Sequence, residues 1–125
     1  MTREVLLAAL GAAIALAGPA AAASSDQACI ARRNINGFNA PDDRTVYIRA
    51  GVNQIFRLDL MNDCLNLSFR QTIGFDNRPN RNWICTPLEA TIVYRGNGMK
   101  QRCPVKAMRK LTPEEIAAVP KRDLP

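Results

Sequence analysis

From Ile55 to Arg70, apolar and polar residues alternate with a single break in phase at Asn62-Asp63. A period of two marks a strand with one buried and one solvated face. Asn and Asp both tolerate the positive φ of a tight turn, so the break predicts a two-residue hairpin. In that register Leu60 faces Leu65, Leu58 faces Leu67 and Phe56 faces Phe69, while Arg57, Asp59, Asn66, Ser68 and Arg70 stay in water. A second alternating run, Thr45 to Ala50, points Val46, Ile48 and Ala50 inward and Tyr47 and Arg49 outward. The loop Gly51-Val52-Asn53 then sets Ile48 against Phe56 and Val46 against Leu58, with Asn53 in the left-handed position. Both registers place Phe56 and Leu58 on one face, and together they predict a three-strand meander.

Ile35 and Phe38 belong to a short first strand. Gln71 to Asn82, with Gly74, Pro79 and several Asn, predicts a long loop or broken strand. Leu88 to Arg95 is strand-like, and Asn97-Gly98 is a strong hairpin signal. It pairs Ile92 with Cys103 and Ala90 with Val105. It also puts Pro104 on the outer face opposite Thr91, which marks an edge strand. Thr112, Pro113 and Glu115 form a capping box that opens a short helix. Pro120 ends that helix, Ile116 and Val119 hold it to the sheet, and Lys121 to Pro125 form a loose tail. The predicted fold class is mostly β: a small antiparallel meander, closed as a barrel or packed as a sandwich, with a short C-terminal helix.

Residues 1–23 have the layout of a secretory signal peptide: Arg3, an apolar run from Val5 to Ala17, and small residues at Ala21 and Ala23. That run is too short to span a bilayer stably, and no later segment is apolar enough to cross one. Residues 24–125 make a single domain, placed in the periplasm or outside the cell after cleavage near Ala23. A domain of that size buries about two thirds of its unfolded surface, so cross-links help. The 4 cysteines, Cys29, Cys64, Cys85 and Cys103, predict two disulfides. Three pairings are open; the preferred one is Cys29–Cys103 with Cys64–Cys85, tying the first segment to the last strand. Without histidine or a C-x-x-C spacing, no metal, redox or other cofactor site is expected.

A set of framework residues resembles a domain-of-unknown-function family of small secreted four-cysteine bacterial proteins. They are Cys29-Ile30 with Ile35 and Phe38, Asp43 to Ile48, Leu60, Cys64 and Leu67, Ile84-Cys85, Arg102 to Val105, and Leu111 to Glu115. Members of that family often carry Gly-Asp after the third cysteine, where this chain has Thr86-Pro87, so no role of that acid transfers. The resemblance implies a compartment and a framework and supplies no activity.

The formal charge is +6, carried mostly by arginine, which suits planar pairing with carboxylate or phosphate. The loop from Phe75 to Trp83 gathers Arg78, Asn80, Arg81 and Trp83, a set suited to an anionic sugar or a phosphate-bearing surface. For Trp83 alone the favoured reading is different: the indole packs in the core beside the cysteine bridge. A second basic row, Tyr47, Arg49, Arg57 and Arg70, lies on the wet face of the meander, where export disfavours nucleic acid as its partner. The expected function is a non-enzymatic module that binds an anionic envelope component or protein. The alternatives are a periplasmic inhibitor of an acidic enzyme and, less favoured, a carboxylate-based hydrolase using acids such as Asp42, Asp43, Asp59 and Asp76. No catalytic residue is assigned.

Overall fold

The computed structural model describes Gly11, residues 29–76 and residues 82–125; the expected signal peptide, residues 1–23, otherwise lies outside the described residues. The fold is mostly β, with antiparallel sheets, two disulfides, one short C-terminal helix and no closed barrel. The strands are β1 (Ile30–Ala31), β2 (Ile35–Asn39), β3 (Thr45–Ala50), β4 (Gln54–Leu60), β5 (Gly74–Phe75), β6 (Trp83–Ile84), β7 (Ile92–Gly96), β8 (Met99–Cys103) and β9 (Val105–Lys110), followed by helix α1 (Pro113–Ala118). They form a four-stranded sheet β2-β3-β4-β9, a three-stranded sheet β5-β7-β8 and a two-stranded ribbon β1-β6.

The β3–β4 register is the predicted one: Ile48 opposes Phe56 and Val46 opposes Leu58. The left-handed residue of that loop is Gly51, at φ 65°, rather than Asn53, since a residue without Cβ takes that conformation at least cost. The Asn97-Gly98 turn also forms as expected. Both of its residues have positive φ, and Ile92 opposes Cys103.

The hairpin centred on Asn62-Asp63 does not form. The place beside β4 belongs to β9, which pairs Leu58 with Met108 and Leu60 with Val105. After Leu60 the chain turns away: the Cys64 N–H donates to the Asp43 carbonyl at 2.8 Å, and Asn66 adopts φ 63°. Residues Leu67–Phe69 then make a single 3-10 turn. Alternation alone could not separate a strand from this turn, because Leu67 still needed to reach the core.

Other expectations change with it. The strand expected from Leu88 begins only at Ile92, because Pro87–Ala90 is a 3-10 turn. Ala90 therefore does not oppose Val105, which pairs with Leu60 instead. β8 is an edge strand as expected. Pro104, however, is the junction where the chain leaves the three-stranded sheet and enters the four-stranded one. The disulfides are Cys29–Cys85 and Cys64–Cys103, which corrects the preferred pairing. The reason lies in the topology. Antiparallel β1–β6 pairing of Ile30 with Ile84 brings the flanking Cys29 and Cys85 together. Cys103 ends β8 beside the segment that holds Cys64.

One core lies between the sheets. It contains Val46, Ile48, Phe56, Leu58 and Leu60 from the four-stranded sheet and Ile92 and Tyr94 from the other, together with Ile30, Leu67 and Ile84. A second, smaller cluster covers the opposite face of the four-stranded sheet. There Tyr47, Ile55 and Leu111 are buried under Ile116, Val119 and Leu124. Tyr47 is thus covered rather than solvated. The tail is fastened as well: Arg49 Nη2 donates to the main-chain oxygen of Pro125 at 2.7 Å. At the head of α1, Thr112 Oγ1 accepts from the Glu115 N–H and Glu115 returns the bond to Thr112.

Two outcomes follow for stability. Non-reducing peptide maps should link Cys29 to Cys85 and Cys64 to Cys103. Cys64→Ser with Cys103→Ser should lower the unfolding free energy by about 4 kcal/mol in urea titrations, by chain entropy. Bonds from the Arg109 guanidinium and the Thr112 N–H hold the Glu115 carboxyl below its ordinary pKa. Its contribution is therefore complete above the ordinary glutamate value and is lost as pH falls through the lowered one. Glu115→Gln should melt below wild type at neutral pH, and the two melting curves should converge in acid.

Candidate anion-binding cleft

β7 and β8 alternate strictly. Ile92, Tyr94, Gln101 and Cys103 face the core side, and Val93, Arg95, Lys100 and Arg102 face outward. Arg95 and Lys100 are directly opposed in the ladder. Cross-strand neighbours on one face sit about 5 Å apart at Cβ, so like charges there work against the fold. Arg102, the next outward residue, is paired with Asp76. Among the described residues, Arg95 and Lys100 have no acidic partner.

The segment after the 3-10 turn runs past this face. Between them opens a cleft of about 700 Å³ lined by Phe69, Arg70, Ile73, Tyr94, Arg95 and Lys100 among others, with no acidic residue in its walls. Arg70 commits one nitrogen, Nε, to the Asn66 carbonyl at 3.4 Å. Tyr94 fixes the other side of the cleft: its buried hydroxyl donates to the Leu65 carbonyl at 2.8 Å. Burial first, then the charge of Asp43, pushes that phenol above its ordinary pKa, with Arg70 pulling the other way. Tyr94 is therefore a neutral donor at physiological pH, and it ties the 65–70 segment to β7. Three cations beside two aromatic rings can hold an oxyanion.

The loop expected to bind anions is only partly in view. Arg78, Asn80 and Arg81 lie outside the described residues. Its stems are defined: Arg32 donates its N–H to the Asn82 carbonyl at 2.9 Å and its Nη2 to the Phe75 carbonyl at 3.3 Å. Trp83 pairs with Ala31 and is 51% exposed, so the favoured reading of a core indole is corrected. A two-stranded ribbon leaves one of its faces open, and Trp83 is on it.

The second basic row does not assemble. Arg57 bonds Asp59 at 2.9 Å, Arg49 holds Pro125, and only Arg70 reaches the cleft. Of the acids considered for hydrolysis, Asp42, Asp59 and Asp76 serve the framework, while Asp43 Oδ1 is buried without a hydrogen-bond partner among the described residues. Asp42 caps the turn by accepting the N–H groups of Arg44 and Thr45. Asp59 and Asp76 are held by different arginines, on β4 and β8. No group of three or more Cys, Asp or Glu able to hold a metal occurs among the described residues.

Arg95, Lys100 and Phe69 were missed as site residues. The first two were within reach of the sequence, because the register that opposes Ile92 to Cys103 also opposes Arg95 to Lys100. Phe69 was not, since the alternation had placed it in the core.

The model of a family of unknown function (DUF6491) matches residues 1–123. No curated protein and no solved structure gives a significant match.

If the opposed cations strain the ladder, Arg95→Glu should create a favourable pair with Lys100. It should raise stability by about 0.2–1 kcal/mol in urea titrations, while Arg95→Lys leaves it unchanged.

Proposed function

We propose, for a chain that belongs to the DUF6491 family and so inherits no assigned activity, that it is an exported, non-enzymatic module that binds an anionic partner through the cleft beside β7 and β8. The carrying observation is the opposed Arg95–Lys100 pair, left without a carboxylate and joined by Arg70 in a cleft with no acid in its walls. Elsewhere in the sheets Arg57 is matched to Asp59, Arg102 to Asp76 and Arg109 to Glu115, and Arg49 is bonded to the main-chain oxygen of Pro125. Unmatched like charges on one ledge oppose folding and favour capture of an oxyanion group such as phosphate, sulfate or carboxylate.

Support for export comes from the leader-like pattern of residues 1–23 and from two disulfides that persist in an oxidising compartment. No helix among the described residues is long and apolar enough to cross a membrane.

Dextran sulfate serves as a generic polyanion for the test. Its binding, followed by calorimetry, should weaken several-fold between about 50 and about 300 mM salt as the screening length shrinks. Arg95→Gln with Lys100→Gln should reduce affinity about tenfold or more, at roughly 1 kcal/mol per cation. Affinity indifferent to both salt and that double substitution would overturn the proposal.

A further inference from the structure

Building on the anion-binding reading above, we infer that the anionic partner is a phospholipid bilayer surface, and that Phe69 enters it beside the cations, with Leu65 at the start of the same turn. The run Leu65-Asn66-Leu67-Ser68-Phe69 has the spacing of a half-buried strand. Because Asn66 is left-handed and the next three residues make a 3-10 turn, it buries only Leu67. Leu65 is left 70% exposed and Phe69 79% exposed. Scattered apolar side chains on a surface need no explanation. Phe69 is different because of how it is held and the cations next to it; Leu65, on the same turn, lines a neighbouring hollow with Asp63, Tyr94 and Arg102.

The turn that carries them is fastened on several sides. Cys64 is bonded to Cys103, the Leu65 carbonyl receives the Tyr94 hydroxyl, and the N–H groups of Leu67 and Arg70 close onto Cys64 and Leu67. The two side chains are therefore held out in water by a rigid base. Phe69 shares its cleft with Arg70, Arg95 and Lys100.

An apolar ledge rimmed by unmatched cations matches the two layers of an anionic bilayer. Phosphates meet the guanidinium and ammonium groups, and the ring and the leucine reach the boundary with the acyl chains. A hydrophilic polyanion would use the cations and leave Phe69 and Leu65 wet. Either contribution alone gives marginal, reversible attachment, so the pairing of the two is what makes docking effective.

The experiment is co-sedimentation of the full chain with phosphatidylcholine vesicles, with and without about a third phosphatidylglycerol, alongside dextran sulfate binding. Leu65→Ser with Phe69→Ser touches no core contact and should melt like wild type. The expected result is binding to the anionic vesicles only, weakened at least about fivefold in that variant and in Arg95→Gln with Lys100→Gln. Dextran sulfate binding should fall in the Arg95→Gln, Lys100→Gln variant, and in Leu65→Ser with Phe69→Ser it should fall by a smaller factor than vesicle binding does. Unchanged vesicle binding after Leu65→Ser with Phe69→Ser, or dextran sulfate binding without vesicle binding, would overturn the bilayer inference and leave the anion-binding reading standing. Self-association lost in the Leu65→Ser, Phe69→Ser variant would assign the ledge to a second copy of the chain and overturn the inference too. Binding to neither vesicles nor dextran sulfate would end both readings.

Discussion

Pro104 has no N–H to give to a ladder, and the two sheets part at that residue. β8 ends one position before it and β9 starts one position after it, so a single residue carries the chain from one sheet to the other. Cys103 and Val105, on either side, are both buried. The junction is stitched to the 61–64 segment twice: the Met61 N–H donates to the Pro104 carbonyl at 3.0 Å, and Cys103 is bonded to Cys64. A chain free to continue in one ladder would have built one longer sheet. The interruption instead folds the hairpin of β7 and β8 over the meander and encloses a core between them.

The division has an electrostatic counterpart. The four-stranded sheet is buried on both faces, with the main core on one side and the helix and tail on the other. Its central cation pair is neutralised: Arg57 and Arg109 oppose each other across β4 and β9, and each has its own acid, Asp59 and Glu115. The three-stranded sheet is covered on one face only. Its outer face carries the same kind of cross-strand cation pair without the acids. Two like-charged pairs in comparable ladder positions thus differ in whether the fold neutralises them. That difference separates framework arginines from the candidate site.

The β3–β4 register, the Asn97-Gly98 hairpin, the capping box and the edge position of β8 were legible in the sequence, because each rests on local chemistry. Positive φ at a two-residue turn and a threonine three residues before a glutamate leave few other solutions. What was not legible depended on competition at a distance. Leu65 to Phe69 carries a faithful strand pattern, yet β9, some forty residues later, takes its place beside β4. No property of residues 60–70 announces that. Tyr47 looked like a solvated residue for a similar reason, since its cover comes from Ile116, Val119 and Leu124. The cysteine pairing followed from the β1–β6 ribbon, whose strands are too short to show any periodicity. For the site, the cations at 95 and 100 were implied by a register already in hand, whereas the ledge of Phe69 and Leu65 required the structure.

Because the four-stranded sheet does the work of cohesion on both its faces, the outward positions of β7 and β8 answer to neither hydrophobic cluster. Side chains at 95 and 100 can be exchanged for others of similar strand preference while every buried neighbour stays where it is. The molecule is in that sense an anvil with a replaceable striking plate: selection, or a protein engineer, can change what this ledge recognises without having to relearn how the chain folds.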